Sequence, residues 1–355
     1  MTEDPIRIPA DRLTEFTAAV LAGAGAKPAE AEKVAAHLVG ANMAGHDSHG
    51  VQLLGGYVMN IQTGLVTIDA EHALLADAPV VTRIDAHGGW GVIGGEALIE
   101  SLALKAKASG LAGGTIGNVH HLGRIGAYAE RAAEAGLVSM HFVSVADHDP
   151  LVAPFRGSDA RFGTNPVCIG FPETPNRAMF LLDMATSQIA LGKARVALNK
   201  GVKVPHGSII NEHGMLTDDP SCMAAGAMTG ALTPVGRHKG YGLAFACELL
   251  GGVLSGAGTI QPGHERRGGI QNRMLSILID PEAFGDPAWM EAEIEAMADY
   301  ALASPPLDWD SPVLFPGDPE RAMRGKRAKQ GVPLDPVTVA GMNEAAEAAG
   351  VAARL

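Results

Sequence analysis

Gly89-Trp90-Gly91-Val92-Ile93-Gly94 has the GxGxxG spacing, follows a run at 80–84 rich in β-branched residues that suits a strand, and opens a helical pattern over 94–109. In a dinucleotide-binding βαβ unit, such glycines let the backbone approach a pyrophosphate at a helix N-terminus. That unit also needs an acidic side chain about 20 residues on to hold the ribose. The next strand region, 111–119, contains no Asp or Glu. The glycines therefore read as packing positions that bring helix and strand together, and a Rossmann domain is not expected. With 45 glycines in the chain, a chance match to this spacing carries little weight.

Outward from this segment the pattern is α/β. Residues 80–84, 113–119, 137–145, 179–183 and 274–280 read as strands, and 94–109, 123–135 and 240–254 as helices. Two helices come first. Asp11 is placed to cap one that buries Leu13, Phe16, Val20 and Leu21, and Pro28 suits the first turn of the next. After Phe315 come a basic helix (Arg321, Arg324, Lys326, Arg327) and an Ala-rich one from Pro336. The expected organisation is an N-terminal helical segment, 1–75, packed with C-terminal helices, 315–355, beside a central α/β domain, 76–314.

Composition narrows the function classes. The 355 residues carry 27 Lys and Arg against 39 Asp and Glu, a formal charge of −12, which opposes a protein built to grip nucleic acid. Hydrophobic residues at 47% and charged residues at 19% describe a folded chain rather than a disordered one. Aromatics are only 5%, so small and aliphatic side chains must fill the core. Cys168, Cys222 and Cys247 are scattered without CxxC spacing, as expected of buried reduced thiols in the cytoplasm. The charged N-terminus does not resemble a signal peptide, and no apolar run suits a membrane span.

Five polar clusters carry the candidate chemistry. His46-Asp47-Ser48-His49-Gly50 follows a helix; a histidine there suits proton transfer at a hydroxyl or carbonyl oxygen, with the serine relaying or orienting. The bland alternative is a polar turn. His120-His121-Leu122-Gly123-Arg124-Ile125-Gly126 places imidazoles and free backbone N–H groups where an anion is welcome. Ala146-Asp147-His148-Asp149-Pro150 ends an apolar strand, a frequent site location in α/β folds. Phe162-Gly163-Thr164-Asn165-Pro166 precedes Asp183-Met184-Ala185-Thr186-Ser187, together offering an amide, a carboxylate and hydroxyls. Arg237-His238-Lys239-Gly240-Tyr241-Gly242 opens a glycine-containing helix suited to phosphate, or is a plain loop.

Taken in order along one chain, Ser48-His49-Gly50, Asn118-x-x-His121-x-Gly123, Phe162 to Pro166, Asp183-x-Ala185-Thr186-Ser187, His238 to Gly242 and Pro316-Gly317-Asp318 resemble the malate/L-lactate dehydrogenase family of the non-Rossmann type. Ala44 to Gly50 and Val152-Ala153-Pro154-Phe155-Arg156-Gly157 look closest to its hydroxycarboxylate dehydrogenase B branch. The resemblance implies an L-sulfolactate dehydrogenase-like fold, a largely antiparallel or mixed central sheet in a homodimer, with NAD or NADP as cofactor. It implies that His49 donates the proton when a 2-oxo acid is reduced and accepts it when the alcohol is oxidised, with Ser48 relaying. It places His121, Leu122, Gly123, Arg124 and Ile125, then Asp183, Met184 and Ala185, then His238, Lys239 and Gly240, and then Gly317, Asp318 and Arg324 at the cofactor. His121, Thr164 and Asp149 would meet the substrate. No resident metal and no membrane or nucleic-acid partner is implied.

Two departures bear on the substrate. Many relatives carry Arg four residues after the catalytic histidine, where it clamps a carboxylate bidentately; here that position is Leu53, which favours an apolar monocarboxylic acid over malate. Some imine-reducing relatives carry Asp where this chain has Lys193, which leaves Ser48 without that carboxylate. The alternatives are a cyclic imino acid reductase or ureidoglycolate dehydrogenase of the same fold, a zinc hydrolase using His46, His49, His120, His121 and His148, and a non-catalytic scaffold.

Overall fold

The computed structural model describes residues 5–199, 201–224, 226 and 228–355; residues 1–4 of the expected N-terminal segment lie outside these. The chain opens with β1 (Ile6–Ile8), α1 (Ala10–Gly23), α2 (Pro28–Met43) and α3 (Leu54–Gln62). It continues through β2 (Ala73–Ala78), β3 (Val81–Asp85), α4 (Gly91–Ser109), β4 (Leu111–His120), α5 (Gly126–Glu134), β5 (Val138–Ala146), β6 (Val167–Phe171) and β7 (Phe180–Met184). After α6 (Leu191–Asn199) come the short strands β8 (Ile209–Ile210), β9 (Leu216–Thr217) and β10 (Ala231–Leu232), then α7 (His238–Cys247), β11 (Gln271–Ile279), α8 (Pro287–Leu302), α9 (Asp318–Gln330), β12 (Val332–Leu334) and α10 (Pro336–Ala348).

In α1, Leu13, Phe16, Thr17, Val20 and Leu21 recur at helical spacing and are buried as one stripe. Its N-cap is Pro9 rather than Asp11, which lies one residue inside the first turn, where its charge suits the helix dipole. Pro28 begins α2 as the sequence suggests. These helices, α3 and α10 share one apolar core, and β1 pairs antiparallel with β12, so the two ends of the chain are joined.

The main sheet has seven strands in the order β2-β3-β4-β11-β5-β6-β7. β3 and β4 pair parallel, and the other neighbours antiparallel, which is the largely antiparallel mixed sheet the resemblance implies. Following the pairings, β3, β4, β5 and β7 run one way and β11 and β6 the other. The ends of β4, β5 and β7 and the starts of β6 and β11 therefore lie along a single sheet edge. A separate apolar core, built from Val152, Phe162, Ile209, Met223 and Leu232, takes Ile209 and Leu232 from the small β10-β8-β9 sheet.

The glycine segment sits between parallel strands, β3 and β4, so it has the βαβ context of a dinucleotide turn. Its space is nevertheless taken by the protein itself. Gly88 N donates to Asn118 O at 2.6 Å and His120 N to Gly89 O at 2.9 Å. A Cβ on Gly91 would overlap the carbonyls of His120 and His121, and one on Gly94 would meet Ile116 Cδ1 at 2.6 Å. These are packing glycines, as expected.

The helix expected over 240–254 begins at His238 and changes after Cys247 into a π-helical turn, Glu248–Val253. Glu248 is buried, accepts from Asn165 Nδ2 at 2.8 Å and Ile260 N at 2.9 Å, and ties the turn inward. The helices expected to start at Gly94 and Gly123 start at Gly91 and Gly126.

Several histidines are buried as neutral rings. His141 lies between Ser276 Oγ at 2.8 Å and Ser139 Oγ at 3.1 Å, and burial holds its pKa at about 3. Burial likewise lowers His120 to about 4. Both rings take up protons near 6.5 only once unfolded. Because the unfolded chain binds more protons below that pH, stability falls as pH falls, by about 2 kcal/mol per ring at pH 5. Urea unfolding at pH 7 and pH 5 is expected to show that loss, and His141→Gln to remove roughly half of what the two rings contribute.

Candidate active site

The sheet edge collects the predicted clusters. His121 follows the last residue of β4, Asp147 the last of β5, and Asp183-Met184 end β7, with Ala185 next. Thr164 lies just ahead of β6. The N-terminal helices bring Ser48 and His49 to this edge, where the His49 and His121 rings stack at 5.7 Å and 18°.

The turn that carries Ser48 and His49 is held from both ends of the chain. Asp47, Ser48 and His49 form one 3-10 turn. Asp47 accepts from Asn42 Nδ2 at 2.6 Å and from both Nη atoms of Arg327, on α9, at 2.5 and 2.9 Å. Asn42 Oδ1 accepts Val51 N at 2.9 Å and fills the space a Cβ on Gly50 would need. A bidentate pair of this kind fixes direction as well as distance. Asn42 and Arg327 were not legible as site residues, because their roles depend on an α2–α9 contact that spans most of the sequence.

Ser48 Oγ is 3.1 Å from His49 Nδ1, which leaves Nε2 to face a reactant. Burial lowers the His49 pKa, and the Asp183 carboxylate opposes that shift while His46 and Arg124 add to it. Gly192 packs on Ser48, a Cβ there lying 3.3 Å from Ser48 Cβ, so exposed Lys193 adjoins the turn.

His121 is fixed by Tyr57, whose Oη is 2.7 Å from His121 Nδ1. Burial raises the Tyr57 pKa well above that of a free phenol and pushes His121 well below 6.5, so a phenol meets a neutral imidazole. Tyr57 was missed. Its signal was a phenol within the apolar helix 54–62, since a buried tyrosine hydroxyl needs a partner.

Arg124 is 2% exposed and pairs with Glu130, which also accepts from Arg324 Nη2 at 2.9 Å, yet Arg124 Nε and Nη1 lack hydrogen-bond partners. Asp183 Oδ2 accepts Gly126 N, at the start of α5, at 2.8 Å and lies 4.0 Å from Arg124 Nη1. A buried cation with unspent donors beside a helix N-terminus is a receptor for an anionic group. His37 Nε2 accepts Arg124 N at 3.0 Å; this histidine was also missed, and burial holds it neutral, with a pKa of about 3. Leu122 N is fixed on Asn272 Oδ1 at 2.7 Å, and Gly123 takes φ +70 against His37.

The other expected residues are arranged less tightly. Thr164 is half-buried, and its carbonyl receives Thr186 N and Oγ1, each at 3.0 Å. Asp149 is 91% exposed and pairs with Arg266 at 3.3 Å, so it borders the cluster rather than joining it. His238 and Lys239 are exposed at the start of α7, while Gly240 packs on Val235 and Thr186. Gly317 (φ +97) and Asp318 begin α9, and Leu181 N donates to Pro316 O at 3.2 Å, which docks that segment on β7. His46 donates to Glu320 at 3.0 Å, His120 accepts from Asn60 at 2.8 Å, and His148 Nδ1 donates to Asp149 O at 2.6 Å. Among the described residues no three His, Cys, Asp or Glu side chains converge as ligands, so a histidine-built metal centre is not favoured. None of the described helices is long and apolar enough to cross a membrane.

Comparison with known proteins extends these observations. A family model described as malate/L-lactate dehydrogenase matches residues 8–343. Hydroxycarboxylate dehydrogenase B of Escherichia coli is 44% identical over 334 residues, covering 93% of this chain and 90% of that protein. L-lactate dehydrogenase of Cupriavidus necator is 39% identical over 83% of this chain and 84% of its own length. Sulfolactate dehydrogenase of Methanocaldococcus jannaschii superposes with a TM-score of 0.84 at 29% identity, covering 98% of each chain.

Proposed function

The chain belongs to the malate/L-lactate dehydrogenase family, and from that premise we propose that it is an NAD(P)-dependent oxidoreductase interconverting a 2-oxo acid and its 2-hydroxy acid, with apolar monocarboxylic acids favoured over malate. The observation that carries the reading is the stacked His49–His121 pair, with Ser48 on one ring and Tyr57 on the other. Arg124, with its unspent donors, Arg324, the Asp183–Ala185 turn and the segments at His238–Gly240 and Gly317–Asp318 would hold the dinucleotide, and a buried guanidinium with free N–H groups suits a phosphate. When bound, the nicotinamide supplies or takes the hydride at C2.

His49 Nε2 gives the proton to the carbonyl oxygen on reduction and takes it back on oxidation, while Ser48 holds Nδ1. His121, kept neutral and oriented by Tyr57, donates to the substrate without competing for that proton. Thr164 lines the same edge, with Asp149 at its border. The exposed apolar side chains Leu243, Phe245, Leu249, Val253 and Leu254, on and just beyond α7, support a homodimer, and three buried free thiols support a cytoplasmic location. The pairing of β1 with β12 and the contact of α10 with α1 and α3 in one apolar core support a unit of 1–75 with 315–355 beside a central unit of 76–314.

The test is oxidation of NADH and NADPH, separately, by 2-oxo acids from glyoxylate to phenylpyruvate and by oxaloacetate. Turnover is expected with apolar monocarboxylic acids. Because protonated His49 is the donor and burial lowers its pKa, kcat/KM for reduction should fall as pH rises through a value below 6.5. The oxidation limb should rise through that same value. Absence of turnover with both coenzymes would discard the reading.

A further inference from the structure

An oxo acid brings a carboxylate, and Leu53 leaves the start of α3 without a cation to meet it. The sheet register points to a replacement. Gln271, the first residue of β11, pairs with His120 on one side and Ala146 on the other. Residues 264–270 therefore enter the sheet between His121 and Asp147, at the edge where His49 stacks on His121. Their sequence is His-Glu-Arg-Arg-Gly-Gly-Ile, with cations at Arg266 and Arg267.

This segment is built onto Asp147. Asp147 takes φ +73, a conformation that costs a non-glycine residue about 1 kcal/mol or more and persists only where its surroundings enforce it. Its Oδ1 accepts Arg267 N at 2.6 Å and its carbonyl accepts Gly268 N at 3.0 Å. A Cβ on Gly269 would lie 2.9 Å from Asp147 Oδ2 and 3.5 Å from Leu65, so the loop is pinned between the sheet edge and the segment after α3. The two arginines differ in what they have left to offer. Arg266 spends Nη2 on Ile260 O at 2.9 Å and Nη1 on Asp149 at 3.3 Å. Arg267 is half-exposed, and its guanidinium makes one loose approach, Nε to Asp147 Oδ2 at 3.9 Å. Asp147 Oδ2, though buried, accepts no hydrogen bond. The planar end of Arg267 is thus tethered at its base with its fork unspent, the form that receives a carboxylate bidentately.

We propose that Arg267 is the specificity-determining cation that receives the substrate carboxylate in place of the arginine absent at position 53, and that Asp147 is the positioning residue that presents it; this rests on the oxo acid reading above.

The test compares wild type, Arg267→Gln, Arg267→Lys and Asp147→Asn, each full length and checked by thermal melting, on pyruvate, phenylpyruvate and their methyl esters. Arg267→Gln should raise KM for the acids about 10- to 100-fold, with kcat little changed and the ester KM unmoved. Arg267→Lys should recover part of the acid preference. Asp147→Asn should show a smaller rise with the same acid–ester difference. Should Arg267→Gln not fold, the Lys and Asn variants carry the comparison. An active wild type whose acid and ester KM values move together in the variants, or not at all, would overturn the assignment of Arg267. A wild type inert toward every acid would overturn the oxo acid reading, and this assignment with it.

Discussion

Replacing His49 by alanine is expected to lower kcat in both directions by about 10²- to 10⁴-fold, the range set by loss of a positioned general acid–base group. Coenzyme affinity, measured by nucleotide fluorescence, should stay close to wild type, because the donors assigned to the dinucleotide lie on other elements. The pH limb belonging to His49 should vanish with the ring. Ser48→Ala should have a smaller effect, since the serine holds Nδ1 and does not itself meet the reactant in this scheme. A His49→Ala variant that kept most of its turnover and its pH limb would move the proton donor to His121, the ring stacked on His49 at 5.7 Å. Tyr57→Phe separates the two assignments. It frees His121 Nδ1 and leaves the Ser48–His49 contact intact, so it should alter KM for the acid more than the His49 limb.

How much of this was legible in sequence depends on how local each feature is. The runs around β3, β4, β5, β7 and β11 could be read because apolar and β-branched residues sit between glycine breaks. β2, whose Leu74 and Leu75 are exposed, and β6 gave no such contrast. Ser48, His49 and His121 stood out because imidazoles at the ends of predicted elements are chemically conspicuous. Asn42, Tyr57, Arg327 and His37 did not, because each acts through a partner distant in sequence: Arg327 reaches Asp47 across 280 residues and Tyr57 reaches His121 across 64. The direction of β5 and β7 relative to β4 was also hidden. It follows from the order of antiparallel pairings through β11 and β6, and it is what gathers four separated motifs at one edge.

The glycine segment yields the second large expected effect and the sharpest test of the fold reading. Gly91→Ala adds one methyl group where the carbonyls of His120 and His121 already lie. Backbone atoms at a strand end held by the Gly88–Asn118 and Gly89–His120 hydrogen bonds cannot rotate aside as a side chain would. The cost should reach about 3 kcal/mol or more, the upper end for overpacking. It should also displace His121, so activity falls before the fold is lost. Gly40→Ala is the matched control: it lies inside α2, a Cβ there meets nothing within 4 Å, and the change should stabilise by up to about 1 kcal/mol. The same substitution is thus expected to act with opposite sign at two helical glycines, read as a fall and a rise in melting temperature. If Gly91→Ala instead melted like wild type but lost NADH and NADPH binding, residues 89–94 would be touching the dinucleotide. The βαβ context between β3 and β4 would then be a working nucleotide turn, and the donors assigned around Arg124 would have to serve another anion.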